Sequence, residues 1–195
     1  MRLWAICAVS VLALAGCGGG TKKECLYHGI RCENLPKHKL FRVNWNEKVD
    51  LEANQPIATF RVQSIEVRPR GYTIEASFTN TSPQTFTFPT GGTRAPKDFG
   101  LGVFTDALGV RADEPPNYLL QAKRITPAMP RELAPGQTWH GTMSSDDPPR
   151  PSRWLRVVFG VFFWKGKPPY GQGPFFIYAT SHNVQAPGPV GKPAS

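Results

Sequence analysis

The sequence predicts an all-β protein, an antiparallel β-sandwich with a flexible N-terminal tether before it and a disordered Pro/Gly-rich tail after it. Three observations lead there. From residue 57 onward apolar residues recur with period two in short runs, the spacing at which strand side chains share a face. The runs are separated by Pro, Gly, Asn and Asp, which supply turns. No stretch shows the convincing i, i+3, i+4 apolar spacing of an amphipathic helix. About eight turn-separated strands over roughly 125 residues is the pattern of a sandwich.

Composition agrees with this class. Hydrophobic residues form 40% and charged residues 19% of the 195, enough apolar content to bury a core. The 19 Gly and 20 Pro are frequent without reaching the share found in low-complexity chains. Collagen, a coiled coil and a multi-span membrane protein are excluded.

The elements follow in order. An apolar patch at Leu40-Phe41-Arg42-Val43-Asn44-Trp45 reads as one strand or a docking arm. Ala58, Phe60 and Val62 alternate, and Ile65 and Val67 continue in the opposite phase, so a β-bulge is expected near Ser64. Tyr72, Ile74, Ala76 and Phe78 alternate with Thr73, Glu75, Ser77 and Thr79, giving one buried and one wet face. Asn80-Thr81-Ser82-Pro83 is a turn by composition. Short strands are expected at Phe86 and Phe88 and at Phe99, Leu101 and Val103, with a hairpin turn at 106–109. Residues 118–126 read as a strand or a turn of helix. Leu133-Ala134-Pro135-Gly136 turns the chain into 137–143, where Trp139, Gly141 and Met143 share a face. Residues 154–164 are apolar on both alternating faces, as in a central strand covered on both sides. A last strand is expected at 175–180.

Residues 1–16 carry one early positive charge at Arg2 and then an apolar run over 3–14 interrupted by Ser10. Twelve residues are too few to span a bilayer, and a short apolar run ending in small residues is a secretory leader. Its end, Leu14-Ala15-Gly16-Cys17, resembles the bacterial lipobox. That resemblance implies cleavage before Cys17, whose thiol becomes a thioether to diacylglycerol. Two or three acyl chains anchor stably where one holds reversibly. The expected address is the extracytoplasmic side of a bacterial membrane; the non-acidic Gly18 resembles lipoproteins sorted to an outer membrane where the cell has one. The chain thus divides into a leader (1–16), a lipidated tether and arm (17–56), the sandwich (57–182) and the tail (183–195).

Cys7 lies in the leader and Cys17 at the anchor, leaving Cys25 and Cys32. An oxidising exterior favours a disulfide between them. The rival reading is a metal site, since Cys25, His28, Cys32 and His38 have a sterically possible spacing without the usual separation of two ligand pairs. His140 and His182 are far apart, lack a clustered acid in sequence, and are expected on the surface.

The strand and turn Gly71-Tyr72-Thr73-Ile74-Glu75-Ala76-Ser77-Phe78-Thr79-Asn80-Thr81-Ser82, the pair Asp106 and Gly109, the segment Leu133-Ala134-Pro135-Gly136-Gln137-Thr138 with Gly141, and the strand at 155–159 fall in an order that resembles secreted immunoglobulin-like domains. These are the telokin-like or immunoprotective-extracellular-protein type carried on bacterial lipoproteins. The likeness covers 57–180 and implies a fold and an extracytoplasmic address, with no catalytic residue. A looser likeness, through 88–98 followed by 133–137, is to bacterial proteinase-inhibitor domains of similar sandwich shape.

No G-x-S-x-G, H-E-x-x-H, Walker-type phosphate loop or paired zinc-knuckle spacing occurs, and no cofactor is implied. Asp146-Asp147 beside Pro148-Pro149 could form an acid pair or a cation site, although adjacent carboxylates in such a loop are usually solvated. Charge says more. The formal net charge is +9, of which Arg2 belongs to the leader. A basic protein beside a bilayer favours anionic headgroups and envelope polymers. Arg150, Arg153, Arg156, Lys165 and Lys167, interleaved with Trp154, Trp164 and Tyr170, have the composition of a polyanion or glycan patch. The alternative is that the aromatics fill the core while the charges keep the surface soluble. Nucleic acid is not expected outside the cell.

The expected function is therefore a non-enzymatic, lipid-anchored envelope protein whose sandwich binds an envelope partner. Two rivals are a protease inhibitor, from the looser likeness, and a glycan-acting enzyme with Glu132, Asp146 or Asp147 as acids.

Overall fold

A computed structural model describes residues 25–50, 56–88, 98–105, 115–169 and 173–191. In chain order the strands are β1 (Leu26–Tyr27), β2 (Ile30–Arg31), β3 (Lys39–Asp50), β4 (Pro56–Arg68), β5 (Gly71–Asn80), β6 (Phe86–Thr87), β7 (Gly100–Phe104), β8 (Tyr118–Gln121), β9 (Arg124–Thr126), β10 (Glu132–Leu133), β11 (Thr138–Ser145), β12 (Trp154–Trp164), β13 (Phe175–Ala179) and β14 (Val184–Gln185). One 3₁₀ turn, Cys32–Asn34, follows β2.

The protein is an all-β antiparallel sandwich, as its period-two patterning predicts. One sheet has the order β3-β4-β5-β11-β9; the other has β10-β6-β12-β7-β8, with β13 and β14 paired to β12 as well. The apolar patch at 40–45 belongs to β3, which extends well beyond it and pairs with β4 over most of its length. The phase change in β4 is a bulge: Val62 faces Ala76 and Ser64 faces Glu75, leaving Gln63 as the extra residue. It returns Ile65 and Val67 to the face already used by Phe60 and Val62, and all four are buried. Residues 118–126 are two strands, β8 and β9, assigned to different sheets. The turn expected at 106–109 lies outside the described residues.

β12 is covered on both faces, with Leu155, Val157 and Phe159 buried on one and Val158, Phe162 and Trp164 also buried. Phe162 stands at the centre of an aromatic cluster, stacked on Phe176 at 4.7 Å and edge-on to Phe78, Phe86 and Phe88 at 5.4 Å. Edge-to-face and offset contacts of this kind add to the burial of the rings themselves.

Residues 183–191, grouped by their Pro and Gly content with the disordered tail, are ordered. β14 pairs with the start of β12, Ala186 is buried, and the segment continues against the N-terminal arm. Lys37 N–H donates to the Gly188 carbonyl (2.9 Å), Val190 N–H to Leu35 (2.8 Å) and Gly191 N–H to Glu33 (3.0 Å). Pro187 and Pro189 occupy positions where no N–H is required, so they do not oppose this pairing. Residues 192–195 lie outside the described residues.

Candidate functional site

The end of the sandwich that holds the β4–β5 turn carries a cleft whose lining arginines are Arg68, Arg70 and Arg124. Arg68 pairs with Gly71 across that turn, with Pro69 and Arg70 at its tip. Gly71 has φ +124°, and a Cβ there would collide with the Ser145 carbonyl oxygen. Glycine therefore lets the turn lie flush against the end of β11. This sets Arg68 and Arg70 beside Ser145. Arg124 arrives from β9, whose register places it opposite Ser144. His38, just before β3, completes the lining of a surface cleft of about 570 Å³.

The arginines are held in different ways. Arg68 Nη2 donates to Thr73 Oγ1 at 2.7 Å, while its buried Nε has no hydrogen-bond partner among the described residues and lies 4.0 Å from Glu66 Oε2. The other Glu66 oxygen meets His38 Nε2 at 2.9 Å. The Arg70 guanidinium stands 5.3 Å over the Tyr27 ring, a cation–π contact. Beside the cleft, Lys123 bridges Asp146 (2.9 Å) and Asp147 (3.0 Å). Its ammonium holds the Asp146 carboxyl below the ordinary range, and those hydrogen bonds in turn raise Lys123. The two aspartates are thus occupied by a lysine.

The β1–β2 hairpin sits on this same end. Cys25 and Cys32 form a disulfide pair with Cα atoms 5.4 Å apart, so the thiols are not metal ligands. Tyr27 Oη donates to the Asp146 carbonyl at 2.9 Å, and His28 Nδ1 lies 3.2 Å from Asp147 Oδ1. A smaller cleft of about 250 Å³ is lined by His28 and Ile30 of the hairpin region with Tyr118, Leu120, Asp147, Pro148 and Arg150.

The basic residues singled out in sequence divide. Arg150 and Arg153 fall at the hairpin end, where both act on the Tyr118 hydroxyl, which burial pushes above its ordinary range. Arg156 is a correction: it is 3% exposed and lies 5.1 Å over the Phe104 ring, so it belongs to the interior of the second sheet. Lys165 and Lys167 are exposed at the other end of β12, where Lys165 Nζ meets Glu132 Oε2 at 2.8 Å. The eleven residues of β12 span about 33 Å at ~3.3 Å per residue. A run of charges along an extended strand is consequently spread across the molecule, and these five do not form one patch. Cys17 and Tyr170 lie outside the described residues.

Glu132 is likewise separated from Asp146 and Asp147 by the length of β11, so the three carboxylates do not converge. Among the described residues no three His, Cys, Asp or Glu side chains are placed to hold a metal ion.

One polar cluster escaped sequence reasoning because its members are 131 to 135 residues apart. Glu47 on β3 is 6% exposed. It accepts hydrogen bonds from Tyr178 Oη, from the Ser181 N–H (2.8 Å) and hydroxyl (3.1 Å), and from the His182 N–H (3.1 Å), and its Oε1 lies 2.6 Å from His182 Nδ1. Burial alone would raise its pKa, but the bonds from Tyr178, His182 and the two backbone N–H groups outweigh it and hold the carboxyl below 4.5. The exposed His182 ring also stacks on Trp45 at 5.5 Å. Ser181 Oγ and Glu47 both approach Nδ1 of His182, so the three do not form a relay in which the imidazole links acid to hydroxyl. The cluster clasps the β13–β14 connection to β3.

Comparison with known proteins finds no match to this chain among family models, curated proteins or solved structures.

Proposed function

We propose that the chain is a lipid-anchored cell-envelope protein whose sandwich is a non-enzymatic binding module for an anionic envelope partner. The observation that carries this reading is the cleft formed by Arg68, Arg70 and Arg124 at the end where the N-terminal hairpin sits. Guanidinium groups are permanently charged and present planar donor forks matched to phosphate and carboxylate oxygens. Guanidinium groups stay protonated near neutral pH and so suit the binding of an anion better than proton transfer to or from one. The lipobox-like Leu14-Ala15-Gly16-Cys17, and the resemblance to secreted immunoglobulin-like domains of lipoproteins, support the same address.

Crosslinking in intact cells tests it, comparing the native chain with Arg68→Gln, Arg70→Gln and Arg124→Gln combined, alongside Cys17→Ser. The native chain is expected in the membrane fraction with a crosslinked anionic partner. Cys17→Ser should release it to the aqueous phase, and the triple change should lose the partner. Membrane retention of Cys17→Ser refutes the anchor; a partner captured equally by the triple variant refutes the site.

A further inference from the structure

We infer that the arginine cleft takes the phosphate group of a lipid headgroup in the membrane that anchors the chain. This inference rests on the anchored-module reading and specifies its ligand.

The first argument is placement. Cys25 stands eight residues after Cys17, a span that reaches at most about 29 Å when fully extended. Two residues later, the Tyr27 ring lies under the guanidinium of Arg70, one of the residues lining the cleft. Both ends of the described fold lie on this side: the arm at Glu33, Leu35 and Lys37 is bonded to Gly188, Val190 and Gly191. A lipid on Cys17 therefore holds the arginine end near the bilayer. A Gly-rich span of this length has a typical end-to-end distance of only ~16 Å.

The second argument is chemistry. Glu66 divides its two oxygens between His38 and Arg68, leaving Arg70 and Arg124 without a carboxylate hydrogen-bonded to them among the described residues. Asp146 and Asp147 are bridged by Lys123, and Asp146 also feels the charge of Arg124 without a hydrogen bond to it. Three guanidinium groups around one opening offer more donor forks than a single carboxylate can use, whereas a phosphate has several oxygens to receive them. Arg70 is positioned by an aromatic ring and Arg68 by Thr73, so part of the ordering is in place before the ligand arrives.

A tethered site meets its ligand at an effective concentration in the millimolar range, so even a weak phosphate site is occupied once the chain is anchored.

The mature chain, residues 17–195, carrying Cys17→Ser isolates headgroup binding from both the acyl anchor and the apolar leader. Its flotation is measured with vesicles of phosphatidylcholine, of phosphatidylcholine with phosphatidylglycerol, and of phosphatidylcholine with cholesteryl hemisuccinate, whose charge is a carboxylate. Inorganic phosphate is titrated separately. Binding is expected to the phosphatidylglycerol vesicles and to be much weaker to the other two.

The combined Arg68, Arg70 and Arg124 to Gln changes should weaken it roughly 100-fold, and Arg70→Gln with Arg124→Gln, which leaves the partly buried Arg68 intact, roughly 30-fold. Changing Lys165 and Lys167 to Gln should weaken it less than about fivefold, because they lie at the far end. Equal binding to the carboxylate vesicles, or retention by the double and triple arginine variants, overturns the inference. So does inorganic phosphate that binds as tightly as the vesicles, which would make free phosphate the ligand. If vesicle binding ignores the cleft while the cellular crosslink still depends on it, this inference fails and the binding-module reading stands. If neither depends on it, both fail.

Discussion

Asn80 offers a direct test of how the fold is held together. Its side chain is fully buried, at 0% exposure, and uses every hydrogen bond an amide can make. Nδ2 donates to the carbonyls of Gln84 (2.7 Å) and Leu133 (2.8 Å), while Oδ1 accepts from the Ser82 N–H (2.9 Å) and hydroxyl (2.7 Å). Its backbone adds bonds to Gln137 O (3.0 Å) and from Gly136 N–H (2.7 Å). One residue thereby joins the Asn80-Thr81-Ser82-Pro83 turn to the Leu133-Ala134-Pro135-Gly136-Gln137 turn. Asn80→Ala would leave the Ser82 hydroxyl with the Gln84 carbonyl (2.8 Å) and the Ser82 N–H with the Ile57 carbonyl (3.1 Å), but would remove the side-chain donor of the Leu133 carbonyl. At about 1–3 kcal/mol for the carbonyl left without its donor and about 0.5–1.5 kcal/mol for each of the other bonds lost, with partial relaxation, the cost is about 3 kcal/mol. A domain of this size loses about 2–4 °C of Tm per kcal/mol, so melting should fall by about 6–12 °C. Asn80→Asp preserves the outline but replaces the donor with a second acceptor facing two carbonyls, and should be at least as damaging at neutral pH. Thermal unfolding followed by tryptophan fluorescence and circular dichroism reads both. Melting of either variant within about 2 °C of the native chain would refute the argument.

The remaining expectations concern other parts of the fold. Glu47 contributes stability that is fully present above its unfolded pKa, near 4.5, and is lost as pH falls through its lower folded value. Urea midpoints should accordingly decline in that acid range, and Glu47→Gln should flatten the decline; an unchanged profile would count against the clasp. Gly71→Ala should cost more than the ~1 kcal/mol of an ordinary Gly replacement, because the new Cβ meets the Ser145 carbonyl, and it should weaken anion binding as the turn lifts from β11. Phe162→Ala should destabilise by about 3–5 kcal/mol, measurable by denaturant titration, because it empties the centre of the aromatic cluster. Arg156→Ala should destabilise the fold through lost packing against Phe104, whereas Arg153→Ala, on the partly exposed rim, should leave melting nearly unchanged.

Period-two patterning made most strands legible, down to the phase change in β4 that becomes the Gln63 bulge. That information is local: each strand reports which of its faces is buried. The arginine cleft was not legible because Arg68, Arg70 and Arg124 come from strands whose adjacency depends on the β5–β11–β9 pairing. The only local hint was Arg68-Pro69-Arg70 at a turn. Arg156 misled for the complementary reason. Its neighbours Arg153 and Trp154 are partly exposed, but β12 is central, and an apolar strand covered on both faces buries its arginine as well. Glu47 and His182 illustrate the same limit, since a hydrogen bond across 135 residues leaves no periodic trace. The C-terminal pairing with Glu33, Leu35 and Lys37 was hidden by a composition that suits disorder, although its bonds use only backbone groups.

The way the two ends of the described chain meet has a mechanical meaning. Force transmitted through an N-terminal anchor would enter at Cys25 and bypass residues 26–31, because the disulfide to Cys32 carries the load directly. It would next reach Glu33, Leu35 and Lys37, whose three backbone bonds to 188–191 would have to part before β3 could be pulled from β4. Under such a load those bonds would be the first to part, with both sheets of the sandwich still paired.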